Sequence, residues 1–76
     1  MTKIKDIRTE IDKIDDQMIV LLRQRKALIA EIKKAKQKEN APKIDIAREN
    51  EIFAKLEDEY EKSVFRQIIE ESKKLQ

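Results

Sequence analysis

The 76-residue sequence has no cysteine, histidine, glycine or tryptophan, and one proline. Without cysteine there is neither a disulfide staple nor a thiolate metal site. Without histidine the commonest metal ligand is missing, and zinc hydrolysis, Ser-His or Cys-His nucleophilic catalysis and imidazole acid–base work are all excluded. Lack of glycine excludes Rossmann and Walker A phosphate loops, whose backbones must turn sharply and approach a pyrophosphate closely. No apolar run approaches the roughly 18 residues of a membrane span, and Met1 to Lys5 carry no apolar signal-peptide core. A soluble, cytoplasmic chain is expected.

What is present is charge and helix-forming side chains. Charged residues make up 45% and hydrophobic ones 39%, with 18 Lys+Arg against 16 Asp+Glu and a net charge of +2. The two signs are interspersed, so neither a nucleic-acid footprint nor an anionic-membrane patch is expected as a partner surface. The length allows one domain, residues 1–76. A core that small contributes only a few kcal/mol, so a partner subunit is expected.

Apolar residues recur at Ile4, Ile7, Ile11, Ile14, Met18, Leu21, Leu28, Ile32 and Ala35, the three-four spacing of one helical stripe. They predict a helix from Thr2 to about Lys38, stopped by Asn40-Ala41-Pro42. Asp45 is a natural N-cap for a second helix starting at Ile46, with Ile52, Phe53 and Leu56 on its apolar face. A third helix carries Val64, Phe65, Ile68, Ile69 and Leu75. The stretch Glu57 to Lys62 holds no Gly or Pro, so a tight turn near Tyr60 is expected, with one continuous helix from Ile46 to Gln76 as the alternative.

A 35-residue helix reaches about 50 Å, whereas short helices of 12 to 15 residues reach about 20 Å. They cannot cover the whole stripe. The expectation is an all-α fold of one long and two short helices, closed as an intertwined homodimer with antiparallel long helices.

Several residues break the apolar pattern. Arg25 occupies the seam position between Leu21 and Leu28, where a guanidinium is costly unless an anion meets it. That anion is either an acidic side chain of another subunit or a ligand. Lys36 lies eleven residues on, nearly the same face and roughly 16 Å along the axis; alone it also reads as a solvated end-of-helix charge. Arg8 is roughly 25 Å from Arg25, too far to share a small ligand within one chain but within reach of a partner's site. Its ordinary reading is a surface arginine.

In the third helix Ser72 and Gln76 fall where apolar residues would continue the stripe, although Ser72 could simply bond its own i−4 carbonyl. Asp45-Ile46-Ala47-Arg48-Glu49 reads as a cap followed by solvated charge. A hairpin about Tyr60 would set Arg48 opposite Ser72 and gather Arg48, Glu49, Ser72 and Gln76 at one end. Docked beside Arg25 and Lys36, that end would form a pocket of three cations, one carboxylate and two neutral donors. Such a pocket suits a small dicarboxylate bearing a hydroxyl.

The ordered set Arg8, Arg25, Lys36, Asp45-x-x-Arg48-Glu49 and Ser72-x-x-x-Gln76, with the runs Ile7 to Asp15, Leu21 to Arg25 and Ile68 to Gln76, resembles the all-helical chorismate mutases over nearly the whole chain. The resemblance implies an intertwined dimer of three-helix protomers and the Claisen rearrangement of chorismate to prephenate, on the way to phenylalanine and tyrosine. That reaction is pericyclic, so the resemblance implies no cofactor and no metal. It further implies that Arg25 and the partner chain's Arg8 grip carboxylates, and that Lys36 and Gln76 donate to the ether oxygen. Glu49 would hold the ring hydroxyl, Arg48 and Ser72 would complete the polar wall, and Asp45 would anchor the second helix and contact the hydroxyl. Lys43 stands where the family usually has an apolar residue, and the connection between the short helices is shorter than in the commonest members. Alternatives are an isochorismate pyruvate-lyase on the same scaffold, a non-catalytic helical partner of a shikimate-pathway enzyme, and a plain dimerisation coiled coil.

Overall fold

The computed structural model describes residues 3–39 and 45–76. Three helices follow one another: α1 (Ile4–Glu39), α2 (Ile46–Ala54) and α3 (Glu59–Lys74), with no strand among the described residues. In α1, Asp6 in the first turn and Lys36 and Lys38 in the last complement the helix dipole. The expected start at Thr2 and the stop at Asn40-Ala41-Pro42 lie outside the described residues.

Asp45 caps α2 as expected, its carboxylate accepting from the backbone N–H of Arg48 at 3.0 Å. The helix is shorter than its apolar face suggested. Lys55 is the C-cap, and the N–H groups of Lys55 and Leu56 bond back to Ile52 and Phe53 at 3.1 Å, tightening the last turn. Leu56 therefore belongs to the connection.

The break between α2 and α3 is the main correction to the sequence reading. It falls at residues 55–58, not near Tyr60, which lies in the first turn of α3 and is exposed. Asp58, extended at φ −139° and ψ 177°, accepts from Glu61 N–H at 2.9 Å, and the Glu61 carboxylate reaches back to Glu57 N–H at 3.1 Å. Asp58 thus satisfies one orphan donor of α3, and Glu61 ties back the residue before the cap, without glycine or proline. It also removes the alternative of one continuous helix.

Among the described residues only Ile29 of α1 and Ile69 of α3 are buried, at 8% and 7% exposure. Leu22, Ile29, Ile68 and Leu75 flank one groove between α1 and α3, so α3 lies along the C-terminal half of α1. The N-terminal half stands bare: Ile4, Ile7, Ile11, Ile14 and Met18 are all exposed. Dimensions make the same point. The molecule measures 57 × 24 × 16 Å with a radius of gyration of 16.1 Å, against about 11 Å for a compact chain of this length. Its accessible surface is 6906 Å², where a compact 9 kDa protein has about 4,900 Å². No helix among the described residues is long and apolar enough to cross a membrane.

Candidate active site

The polar interruptions of the stripe meet one another. Arg25 is half-buried on α1, one turn before buried Ile29, and its Nη1 donates to Ser72 Oγ at 2.8 Å. The serine hydroxyl in turn donates to the Ile68 carbonyl at 2.7 Å, so both partners of Ser72 are fixed. The back-bond to Ile68 and the long-range contact thus coexist. Farther along α1, half-buried Lys36 donates from Nζ to Gln76 Oε1.

These two contacts define a convergence. Arg25 and Lys36 are separated by eleven residues on α1, roughly 16 Å, but the groups they reach are four residues apart, with Gln76 just beyond the last helical residue of α3. Both long side chains of α1 thus reach the C-terminal end of α3. Arg25 has donors beyond the one it gives to Ser72. A guanidinium has five N–H groups, and the Gln76 amide, whose oxygen accepts from Lys36, has two N–H donors of its own. Two cations and a neutral amide at one end of α3 are donors of the kind that a compact anion requires.

The carboxylate comes from α2. Glu49 is half-buried and bound by Lys73 of α3, with Nζ to Oε1 at 3.1 Å; Lys73 also meets Glu70 at 3.3 Å. The hydrogen bond to the Glu49 carboxylate holds the Lys73 ammonium above the ordinary lysine pKa against the opposing effect of desolvation, with Glu70 adding to it. A nine-residue α2 spans about 13 Å, and the non-helical residues 55–58 add the reach that brings its first turn level with the end of α3.

Residues 7–76 match the family described as chorismate mutase type II. The chain belongs to this family. A 56-residue stretch is 41% identical to the bifunctional chorismate mutase/prephenate dehydratase of Aquifex aeolicus (strain VF5), covering 74% of this chain and 16% of that protein. The chain thus spans about one sixth of the length of that relative. No solved structure matches it.

Of the positions that resemble the mutase motif, the structure brings together Arg25, Lys36, Ser72 and Gln76, and sets Glu49 against the same end of α3 through Lys73. Three others stand apart. Arg8 is exposed near the start of α1 and roughly 25 Å along the helix from Arg25. Arg48 is exposed and does not take Ser72, whose partner is Arg25; the α2–α3 register instead joins Glu49 to Lys73. Asp45 is exposed and spends its carboxylate on the α2 cap. Lys73 escaped the sequence reading. It sits next to Ser72, but its partner Glu49 is 24 residues upstream, and no local pattern marks such a pair.

Proposed function

We propose that this domain is a chorismate mutase, rearranging chorismate to prephenate for phenylalanine and tyrosine synthesis. The observation that carries the reading is the convergence of Arg25 and Lys36 onto Ser72 and Gln76, with Glu49 anchored beside that end of α3. Chorismate offers two carboxylates, an ether oxygen and a ring hydroxyl, and this set of side chains answers each.

In this reading the remaining N–H groups of Arg25 pair with one carboxylate and Arg8 of the partner subunit with the other. Arg48 and Ser72 complete the polar wall. Asp45 holds the first turn of α2, and with it Glu49, toward the hydroxyl. During the rearrangement one C–O bond breaks as one C–C bond forms, and no proton is transferred. Negative charge grows on the ether oxygen, where Lys36 and the Gln76 amide donate, so they favour the transition state over the bound substrate. Holding the enolpyruvyl arm over the ring adds an orientation term.

A homodimer is part of the proposal. The surface excess over a compact protein is about 2,000 Å² per chain, or about 4,000 Å² for two, within the range of obligate interfaces. The bare stripe from Ile4 to Met18 is the natural contact, and antiparallel α1 helices would carry Arg8 toward the partner's Arg25 and Lys36. A cytoplasmic setting and a single domain over residues 1–76 belong to the same proposal.

The test is loss of the chorismate diene absorbance, with prephenate identified by acid conversion to phenylpyruvate. Wild type should turn over, and Lys36→Ala should lower kcat by about 10² to 10³, the cost of removing a fixed donor to developing negative charge. Release of pyruvate and salicylate from isochorismate, without prephenate formation, would reject the reading.

A further inference from the structure

The geometry points to Lys73 as a positioning residue that orients Glu49 and offsets its charge in front of a dianionic substrate. This assignment rests on the mutase reading above. Glu49 sits in the first turn of α2, and nine residues make a helix that is marginal by itself. Something outside α2 must fix where its carboxylate stands. Lys73 does so from α3: its ammonium holds Oε1 of Glu49 at 3.1 Å, and the pair is largely shielded, with side-chain exposures of 29% and 22%. The ammonium is itself steered by Glu70 on the preceding turn of its own helix, at 3.3 Å. Since Lys73 adjoins Ser72, the clamp ties the hydroxyl-binding carboxylate to the residue that receives Arg25.

Two consequences follow. With Oε1 committed to Lys73, the other oxygen of Glu49 is left to accept from the substrate hydroxyl in a defined direction. An isolated carboxylate would repel a substrate carrying two of its own, whereas the ammonium of Lys73, closer to Glu49 than to Glu70, offsets the Glu49 charge and leaves it able to accept a hydrogen bond. The neighbouring pair Lys74–Glu71 lies on the exposed face of α3 and has no part in this.

The experiment is steady-state kinetics with chorismate on wild type, Lys73→Met, Lys73→Arg, Glu49→Gln and the double variant Glu49→Gln/Lys73→Met. Lys73→Met should lose about tenfold in kcat/KM, with a raised KM from the uncompensated charge and a lowered kcat from the looser carboxylate. Lys73→Arg, which keeps the charge and the contact, should recover to within about threefold of wild type, while in the Glu49→Gln background Lys73→Met should cost less than about twofold. If Lys73→Met does not fold by circular dichroism, Lys73→Gln takes its place with the same expectations. Wild-type kinetics in Lys73→Met, or an equal loss in both Glu49 backgrounds, overturns the assignment. A wild type with no chorismate turnover overturns the mutase reading and this assignment with it.

Discussion

The bare half of α1 gives a sharp prediction for Ile14→Asp. Ile14 is 55% exposed in the protomer, between Ile11 and Met18 on the same stripe. Full burial of an isoleucine contributes about 1.5–3 kcal/mol, so roughly half of that, about 1 kcal/mol, remains for a partner surface to supply. Two-fold symmetry counts each change twice, giving about 2 kcal/mol from lost apolar contact. Two unpaired aspartates taken into the interface add several kcal/mol each. A total near 8 kcal/mol corresponds to between five and six decades in the dimer Kd. On an exposed helix the same change costs only a fraction of a kcal/mol in propensity. Sedimentation equilibrium should find wild type dimeric at micromolar concentration and Ile14→Asp monomeric, with mutase activity lost in parallel. A variant that still sediments as a dimer with full turnover would refute the assignment of this stripe as the interface.

The α3 cap carries its own expectation: Asp58→Ala removes the bond to Glu61 N–H and should cost about 1 kcal/mol. For a domain of this size that is a fall of about 4–8 °C in Tm by circular dichroism, and an unchanged Tm would mean that another group caps the helix. Arg25→Leu continues the apolar seam, so it should keep or raise Tm while lowering kcat/KM more than about a hundredfold, the signature of a residue held for a ligand and not for stability. Equal activity in wild type and variant would place the ligand elsewhere. For Lys73 the pKa is raised in the folded protein, so its pairing stabilises fully below the unfolded lysine value near about 10.4 and is lost as pH rises through the higher folded value. The Tm gap between wild type and Lys73→Met should stay level from neutral pH to that point and close beyond it; a gap that widens in alkali contradicts the pairing.

Features with a local or periodic cause were readable from the residues alone. The α1 stripe and the Asp45 cap depend on side chains within four residues of one another, and both stand where the spacing set them. Arg25 was legible as an anomaly because a guanidinium in an apolar seam calls for an anion; within the protomer it meets the neutral hydroxyl of Ser72. The α2–α3 turn was misplaced because the reading looked for glycine or proline. The signal was Asp58-x-x-Glu61, a cap signature lying inside a charged stretch that looked featureless. The register across the hairpin is nevertheless close to the expected one, since the Glu49–Lys73 pair is centred on residue 61; Ser72 is taken by Arg25 because that side chain reaches across from α1. The Lys73–Glu49 contact has no local signature, since it arises only when α2 and its connection fold back along α3.

The composite site can be tested by mixing subunits of Arg8→Ala and Lys36→Ala, each inactive alone. If each site joins Lys36 of one protomer to Arg8 of the partner subunit, a mixed dimer holds one intact site and one doubly damaged site. Equal mixing under exchange makes half of the dimers mixed, so chorismate turnover should recover to about one quarter of wild type. Recovery to that level would establish that two chains build one mutase site around Arg25, Lys36, Ser72 and Gln76. A mixture as inactive as its components would contradict it.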